Sequence, residues 1–236
     1  MSLRKKIYSL IPTNISQSSV NIASNSDHSL AVIIHTCDDY IFCWDGWFHY
    51  FRKYWNFKLP FNIYFVNENL DVDFNGIEQI KTGRGEWSDR LKIALKQISE
   101  KNILYLQEDV WLQDSIDIEK YYNVFLSLLL DRLQLSPTDS TYTLFSKFKI
   151  GDVVLQKFAR RSNYLISHQP SLWKKSFLID CLDRSESPWE NEIAGTKRLR
   201  INSQNFSIFL YITDWYAAVS RQGQLTEEGQ RLEKNI

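Results

Sequence analysis

Three short apolar runs that end in polar or acidic residues constrain this chain more than any other feature: residues 30–36 (LAVIIHT), 61–66 (FNIYFV) and 103–106 (ILYL). Their length and their β-branched and aromatic content mark them as strands covered on both faces, the pattern of a parallel sheet. A further short strand is expected at 77–80, after Gly76. Helical periodicities fill the gaps between them. Tyr40, Trp44, Trp47, Phe48, Phe51, Tyr54 and Trp55 recur on one face after a cap at Asp38 or Asp39 and before Pro60. Leu91, Ala94, Leu95 and Ile98 do the same after Ser88 or Asp89. Strand–helix alternation of this kind predicts an α/β fold: one domain over 28–236 with a mostly parallel, doubly wound sheet flanked by helices.

Beyond Asp114 the pattern is less regular. It predicts a long helix over 116–135, short strands at 142–145, 153–158 and 164–168, and a helix over 172–182 after Pro170. A second helix should start near Pro188, with strands at 206–212 and 215–220. Residues 1–27, rich in Ser, Asn and Gln from Asn14 onward, are expected to form an N-terminal arm. With 44% hydrophobic and 14% aromatic residues the chain is not a disordered one. Its 28 basic and 28 acidic side chains cancel, which argues against nucleic acid as a partner and requires any phosphate site to be local. Cys37, Cys43 and Cys181 form no C-x-x-C and fit reduced thiols in the cytoplasm. Arg4, Lys5 and Lys6 precede an apolar run at 7–11 that meets Pro12, too short for an export signal. No stretch reaches the ~20 apolar residues of a membrane span, so peripheral contact at the inner face of the membrane is the form of association left open.

Ligands of open α/β sheets bind beyond the carboxyl ends of the strands. Here those positions hold His35, Thr36, Asp38 and Asp39, then Asn67 and Glu68, then Glu108 and Asp109. Adjacent carboxylates after a buried strand need a cation or hydrogen bonds, and Mg²⁺ or Mn²⁺ carrying a diphosphate suits their hard oxygens. The alternative is a turn capped by Asp109 with Glu108 solvated. In GRGEWSDR, the guanidinium groups of Arg84 and Arg90 and a helix N-terminus suit a diphosphate leaving group, unless the two arginines only answer Glu86 and Asp89. In PWENE, Glu192 first and Glu190 second are candidate bases for an acceptor hydroxyl, with Trp189 beside them. A first-turn Glu also serves a helix dipole. Gln169 and Trp173 suit the edges and faces of a sugar ring, and Lys197, Arg198 and Arg200 form a basic group that could close over a diphosphate. The four histidines are scattered, and neither G-x-S-x-G nor a Walker loop is present.

The segments AVIIHTCDDY, GRGEWSDRLKIAL, ILYLQEDVWL, HQPSLWKKSFLIDCL and SPWENEIAG resemble, in order and flavour, the GT-A glycosyltransferases of bacterial capsule and lipopolysaccharide synthesis, over about residues 30–195. The resemblance implies a GT-A-like fold and a hexose moved from a nucleotide-sugar donor to a saccharide or lipid-linked saccharide acceptor. It implies Thr36 with Asp38 or Asp39 near the base and ribose, and Ser88 and Arg90 near the donor's sugar or phosphates. It also implies an acidic base near the start of the helix at Pro188. Glu108 and Asp109 occupy the position of the family's D-x-D metal motif, although QEDVW lacks the Asp-x-Asp spacing. Two other readings remain: a non-catalytic carbohydrate-binding protein on the same fold, and a nucleotidyltransferase. The second would want a glycine-rich basic loop after strand one, and none is there.

Overall fold

The first half of the chain lays down four parallel strands: β1 (Leu30–His35), β2 (Asn62–Asn67), β3 (Glu78–Lys81) and β4 (Asn102–Gln107), in the order β3-β2-β1-β4. The computed structural model describes residues 29–136, 143–202 and 205–236. The expected arm at 1–27 lies outside them. All six residues of β1 are buried, because successive side chains enter two different cores. Val32 and Ile34 share one core with Trp47 and Phe51 of α1 (Trp44–Tyr54) and Phe125 of α3 (Ile118–Ser127). Ala31 and Ile33 share the other with Leu91 and Leu95 of α2 (Trp87–Gln97) and Leu178 of α4 (Lys175–Cys181). Helices on both faces are what a continuous apolar strand demands.

The aromatic face read from the sequence is the core face of α1. Trp47 stacks on Phe51 with centroids 4.3 Å apart, and Phe51 on Trp55 at 4.9 Å. Gly46 lets β5 (Val110–Leu112) approach that helix, since a Cβ there would lie 2.0 Å from Cζ2 of Trp111. The helix starts differ from expectation. A 3-10 turn over Asp38–Cys43 leads into α1 and has Cys37 as its N-cap, and α2 has Glu86 as its N-cap. Asp38, Asp39, Ser88 and Asp89 therefore lie inside these elements, and the half-buried Asp38 and the buried Ser88 have tasks described below.

The second half extends the same sheet with β6 (Arg132–Ser136), β7 (Thr143–Ile150), β8 (Val153–Phe158), β9 (Ser171–Lys174) and β10 (Ile208–Ile212). The order across the described residues is β3-β2-β1-β4-β9-β6-β10-β8-β7. β9 and β8 run against the others, so the sheet is mixed but mostly parallel. Three expectations are corrected here. The helix expected over 116–135 stops at Ser127, because Leu129 turns left-handed (φ 49°) and residues 132–136 become a buried strand. The helix expected over 172–182 begins as β9, the strand between β4 and β6, and turns helical only at Lys175. Residues 164–168 form an irregular connection instead of a strand.

Helix α5 (Pro188–Ile201) starts where Pro188 predicted, with Pro in its first turn and a capping box between Ser187 and Glu190. β11 (Tyr216–Ala218) pairs antiparallel with β5, and β12 (Ser220–Arg221) pairs with β13 (Gln224–Leu225). A last helix, α6 (Glu227–Glu233), was not expected from periodicity; its Leu232 carbonyl accepts the Tyr50 hydroxyl at 2.9 Å. Among the described residues no helix is long and apolar enough to cross a membrane.

Candidate active site

The carboxyl ends of β1, β2 and β4 meet at one edge of the sheet. Arg90, buried on α2, fastens them together: Nη1 donates to the Thr36 carbonyl at 2.6 Å, Nε donates to that of Gly85 at 3.2 Å, and Nε lies 3.9 Å from Glu68 Oε1. Thr36 is buried as well, its hydroxyl accepting the Trp44 indole N–H at 2.9 Å. Asp38 braces the loop after β2. Its Oδ1 accepts from Asn67 Nδ2 (3.1 Å) and the Glu68 amide (3.2 Å), and its Oδ2 from the amides of Asn69 (3.0 Å) and Leu70 (3.2 Å). Burial would raise its pKa, but these hydrogen bonds win and hold it below the ordinary value. Asp39 and Arg84 are exposed on the same rim. The loop carrying Arg84 turns at Gly83, whose φ of 72° suits glycine.

Glu108 and Asp109 follow β4 directly. Glu108 is buried and Asp109 half-buried, facing the same edge. Burial raises the proton affinity of Glu108 first, the charge of Asp109 adds to it, and Arg90 opposes it only in part. Asp109 is raised by burial too. Two acidic groups this close do not both ionise readily without a cation, and that is the electrostatic signature of an acidic metal or acid–base position. The turn is also fixed through the backbone, since the Val219 amide donates to the Asp109 carbonyl at 2.8 Å.

The reversed direction of β9 brings a second set of residues to this edge, because the connection entering β9 arrives beside the end of β4, with Tyr105 opposite Ser171. In that connection the His168 amide donates to Glu192 Oε1 on α5 at 2.7 Å. Glu192 is half-buried. Burial raises its pKa against the His168 N–H and the charge of Arg132. The neighbouring Gln169 accepts the Tyr216 hydroxyl at 2.7 Å, and Tyr216 belongs to the β5–β11 ribbon that continues from Asp109. On the other side, Asn191 bonds His168 Nε2 (2.9 Å) and Glu186 (2.6 Å), and Ser88 Oγ accepts the Glu186 amide at 2.9 Å. A chain of contacts therefore runs from the β5–β11 ribbon after Asp109 through Tyr216, Gln169, His168, Asn191 and Glu186 to Ser88 of α2, the helix whose Arg90 holds the Thr36 carbonyl, and Glu192 joins it through the His168 amide.

Beneath this edge lies a buried layer, of which the strand-end pattern picks out His35 alone. Trp87 donates to the Tyr105 hydroxyl (3.1 Å), which also meets His35 Nδ1 (3.3 Å), and the Trp87 ring lies 4.3 Å from that of His168. Burial keeps both histidines neutral, His168 pushed down to about 3 and His35 well below its ordinary value. Arg132 is wholly buried, its guanidinium spread over Ser171 Oγ, the Leu165 carbonyl (3.1 Å) and Gln134 Oε1 (2.6 Å). Because Leu165 and Ile166 also donate to Thr196 of α5, Arg132 anchors the loop that presents Glu192 with its His168 bond. His35, Trp87, Tyr105 and His168 lie within the segments that carry the resemblance, but nothing in their spacing marks them as partners, and Arg132 lies outside those segments.

Several expected contacts take other forms. Trp173 is completely buried, stacked near Phe177 and under the Arg132 guanidinium at 4.8 Å, so it offers no face to a sugar. Ser88 is likewise buried and structural. Glu190 closes the α5 capping box with the Ser187 amide at 2.9 Å. Arg198 is tied to Glu186, and Arg200 to carbonyls at 161 and 162, so neither reaches toward the strand ends. Trp189 is 65% exposed, one turn before Glu192 on α5.

The chain matches no protein-family model and no curated protein. It does match solved structures. Against crystal structures of S. aureus TarS 1-349, 80% of this chain aligns at a TM-score of 0.53 and 15% identity, and 80% at 0.54 and 15% for the complex with UDP. For the complex with UDP-GlcNAc the figures are 84%, 0.57 and 16%. The chain spans only 59–60% of the length of those chains. The likeness is one of fold, and the fold is the GT-A-like, single-domain, mostly parallel sheet flanked by helices.

Proposed function

We propose that this chain is a glycosyltransferase that moves a hexose, with inversion, from a nucleotide-sugar donor to a saccharide acceptor in the synthesis of a cell-surface polysaccharide. The observation that carries the reading is the meeting of a buried acidic pair after β4 and the shielded carboxylate of Glu192 at one sheet edge. The UDP and UDP-GlcNAc complexes of S. aureus TarS, on the same fold, support the donor class. In this reading the donor lies over the ends of β1, β2 and β4. Thr36, Asp38, Ser88 and Arg90 shape its floor, while Asp39 and Arg84 are the exposed groups turned to it.

Glu108 and Asp109 would hold Mg²⁺ or Mn²⁺. Two hard carboxylates fit such an ion when substrate phosphates complete its shell, and among the described residues no group of three or more His, Cys, Asp or Glu forms a complete protein cage. Bound there, the ion supplies charge neutralisation for the diphosphate. Glu192 takes the proton of the acceptor hydroxyl as its oxygen bonds to the anomeric carbon. The bond from that carbon to the diphosphate breaks, its electron pair staying on the phosphate oxygen. A base of raised proton affinity is suited to this near neutral pH. Trp189 and Gln169, both exposed beside Glu192, form the acceptor side.

A thermal-shift screen of UDP- and GDP-sugars, with and without Mn²⁺, followed by turnover of any stabilising donor, tests the reading. Donor-dependent stabilisation with nucleoside diphosphate release that Glu192→Gln abolishes is the expected result. Glycan binding with no turnover by the parent protein would replace it with a non-catalytic carbohydrate-binding role.

A further inference from the structure

One residue of the loop before β9 grips two consecutive residues of α5. The His168 backbone amide donates to Glu192 Oε1 at 2.7 Å, and its ring Nε2 meets Asn191 Oδ1 at 2.9 Å. Asn191 settles which ring nitrogen carries the proton. Its Nδ2 donates to the Cys181 carbonyl (3.0 Å) and to Glu186 Oε2 (2.6 Å), so Oδ1 is the atom turned to the ring. Burial would raise the pKa of Glu186, but its bonds to Arg198 and Asn191 hold it below the ordinary value, so it accepts and does not donate. Nε2–H of His168 is therefore the donor, and Nδ1 is a bare acceptor with no hydrogen-bond partner.

The grip is shielded and tightly packed. Asn191 is fully buried and His168 is 2% exposed. The His168 ring is walled in by Trp87 of α2 at 4.3 Å, Tyr105 of β4 at 5.8 Å and Trp173 of β9 at 6.4 Å, centroid to centroid. The Ser167 hydroxyl, one residue earlier, hydrogen-bonds the Glu192 carboxylate as well. The charged and titratable groups facing this cluster are Arg132 from β6, Glu186 from the α4–α5 connection and His35 from β1. Arg132 already stands near both His168 and Glu192. An imidazolium at 168 would add a second cation there and draw down the proton affinity that a base needs. Asn191 gives the ring an acceptor without the charge that would hold protons on both nitrogens.

We propose that His168 is the positioning residue of the base: its neutral ring, locked to Asn191, holds the loop so that the His168 amide aims the Glu192 carboxylate at the acceptor hydroxyl. The chemistry in this statement rests on the transferase reading, and the clamp itself rests on hydrogen-bond geometry alone. Releasing the ring lets the loop shift, and a carboxylate that loses its amide donor keeps its proton to higher pH.

Matched variants of the full chain separate positioning from packing. His168→Phe keeps an aromatic ring among Trp87, Tyr105 and Trp173 but loses the bond to Asn191. His168→Gln carries an N–H at about the reach of Nε2, whereas His168→Asn reaches only as far as the unpartnered Nδ1. The first measurement needs no substrate: the carbon-13 shift of the Glu192 carboxyl is followed against pH, its signal identified by its loss in Glu192→Gln. The midpoint is expected to rise by at least about half a pH unit in His168→Phe and His168→Asn and to return toward the parent's in His168→Gln. The second is steady-state kinetics, in which kcat is expected to fall roughly 10–100-fold in His168→Phe and His168→Asn with donor KM within about twofold, and to recover in His168→Gln. An unmoved midpoint in His168→Phe, a moved midpoint with unchanged kcat, or a loss that His168→Gln shares in full overturns the proposal. If His168→Phe does not fold, the Gln and Asn variants decide, and equal midpoints in those two overturn it. A parent that turns over no donor sinks the transferase reading instead, and the titration still decides whether His168 governs Glu192.

Discussion

Replacing Glu108 with Gln should stabilise the protein by an amount that grows with pH. In the folded chain Glu108 keeps its proton far above the usual carboxylate range, because it is only 6% exposed and adjoins Asp109. The unfolded chain loses that proton near the ordinary value. Between the two pKa values the native state binds more protons, so native stability falls as pH rises. The slope is about 1.4 kcal/mol per pH unit for one proton, or about 3 kcal/mol from pH 5 to pH 7. Glutamine has no proton to lose and retains nearly the same shape. His35 and His168 act with the opposite sign: burial holds them neutral, so they make stability rise with pH up to the ordinary histidine range. The parent's own curve therefore mixes both effects, and the quantity to read is the difference between variant and parent. Urea unfolding followed by fluorescence of the eight tryptophans at pH 5, 6 and 7 measures it. An advantage for Glu108→Gln that widens by about 3 kcal/mol is expected, and parallel curves would show that the acidic pair is not held protonated by burial.

The other expected outcomes concern chemistry and packing. Glu192→Gln should lower kcat by roughly 10²–10⁴-fold with donor affinity retained, whereas Glu190→Gln should lower Tm slightly and leave turnover unchanged; steady-state kinetics and melting curves separate the two. Arg132→Met removes a cation that lowers the pKa of Glu192, so the acid limb of the kcat/KM profile should move to higher pH, and an unmoved limb would deny Arg132 that role. Mn²⁺ with UDP should raise the Tm of the parent and not that of a Glu108→Gln, Asp109→Asn variant, as read by thermal shift. Gly46→Ala should cost about 3 kcal/mol or more in urea unfolding, because its Cβ would overlap the Trp111 ring.

The parallel half of the sheet was legible because strands buried on both faces have no choice of residue type, and β1, β2 and β4 are continuous apolar runs. The acidic pair was legible for the same reason, standing out where such a run stops. The antiparallel insertion was not. Residues 128–135 place leucines at spacings a helix would accept, and the glycine that normally marks a helix end is replaced by Leu129. β9 is four residues long and runs without a breaker into α4, so it merged with the helix behind it. Arg132 was hidden by that error, since a wholly buried arginine mid-strand makes sense only once its acceptors Ser171, Leu165 and Gln134 are in place. His168 appeared as one of four scattered histidines, and only the tertiary fold sets it between Trp87 and Glu192.

Because β9 enters the sheet upside down, the stretch from residue 159 to 201 leaves the functional rim, crosses to the far edge and returns to it with α5. Its inward links are many: the β9 ladders to β4 and β6, Leu172, Trp173 and Leu178 in the two cores, the bonds of Ser185 and Glu186 to Asp89 and Ser88, and the Arg132 fork. The residues around Glu192 are therefore held by the same strand that closes both cores. A change that disturbs β9 would be felt on both faces of the sheet, whereas one confined to the exposed Trp189 would retune what docks beside Glu192 alone.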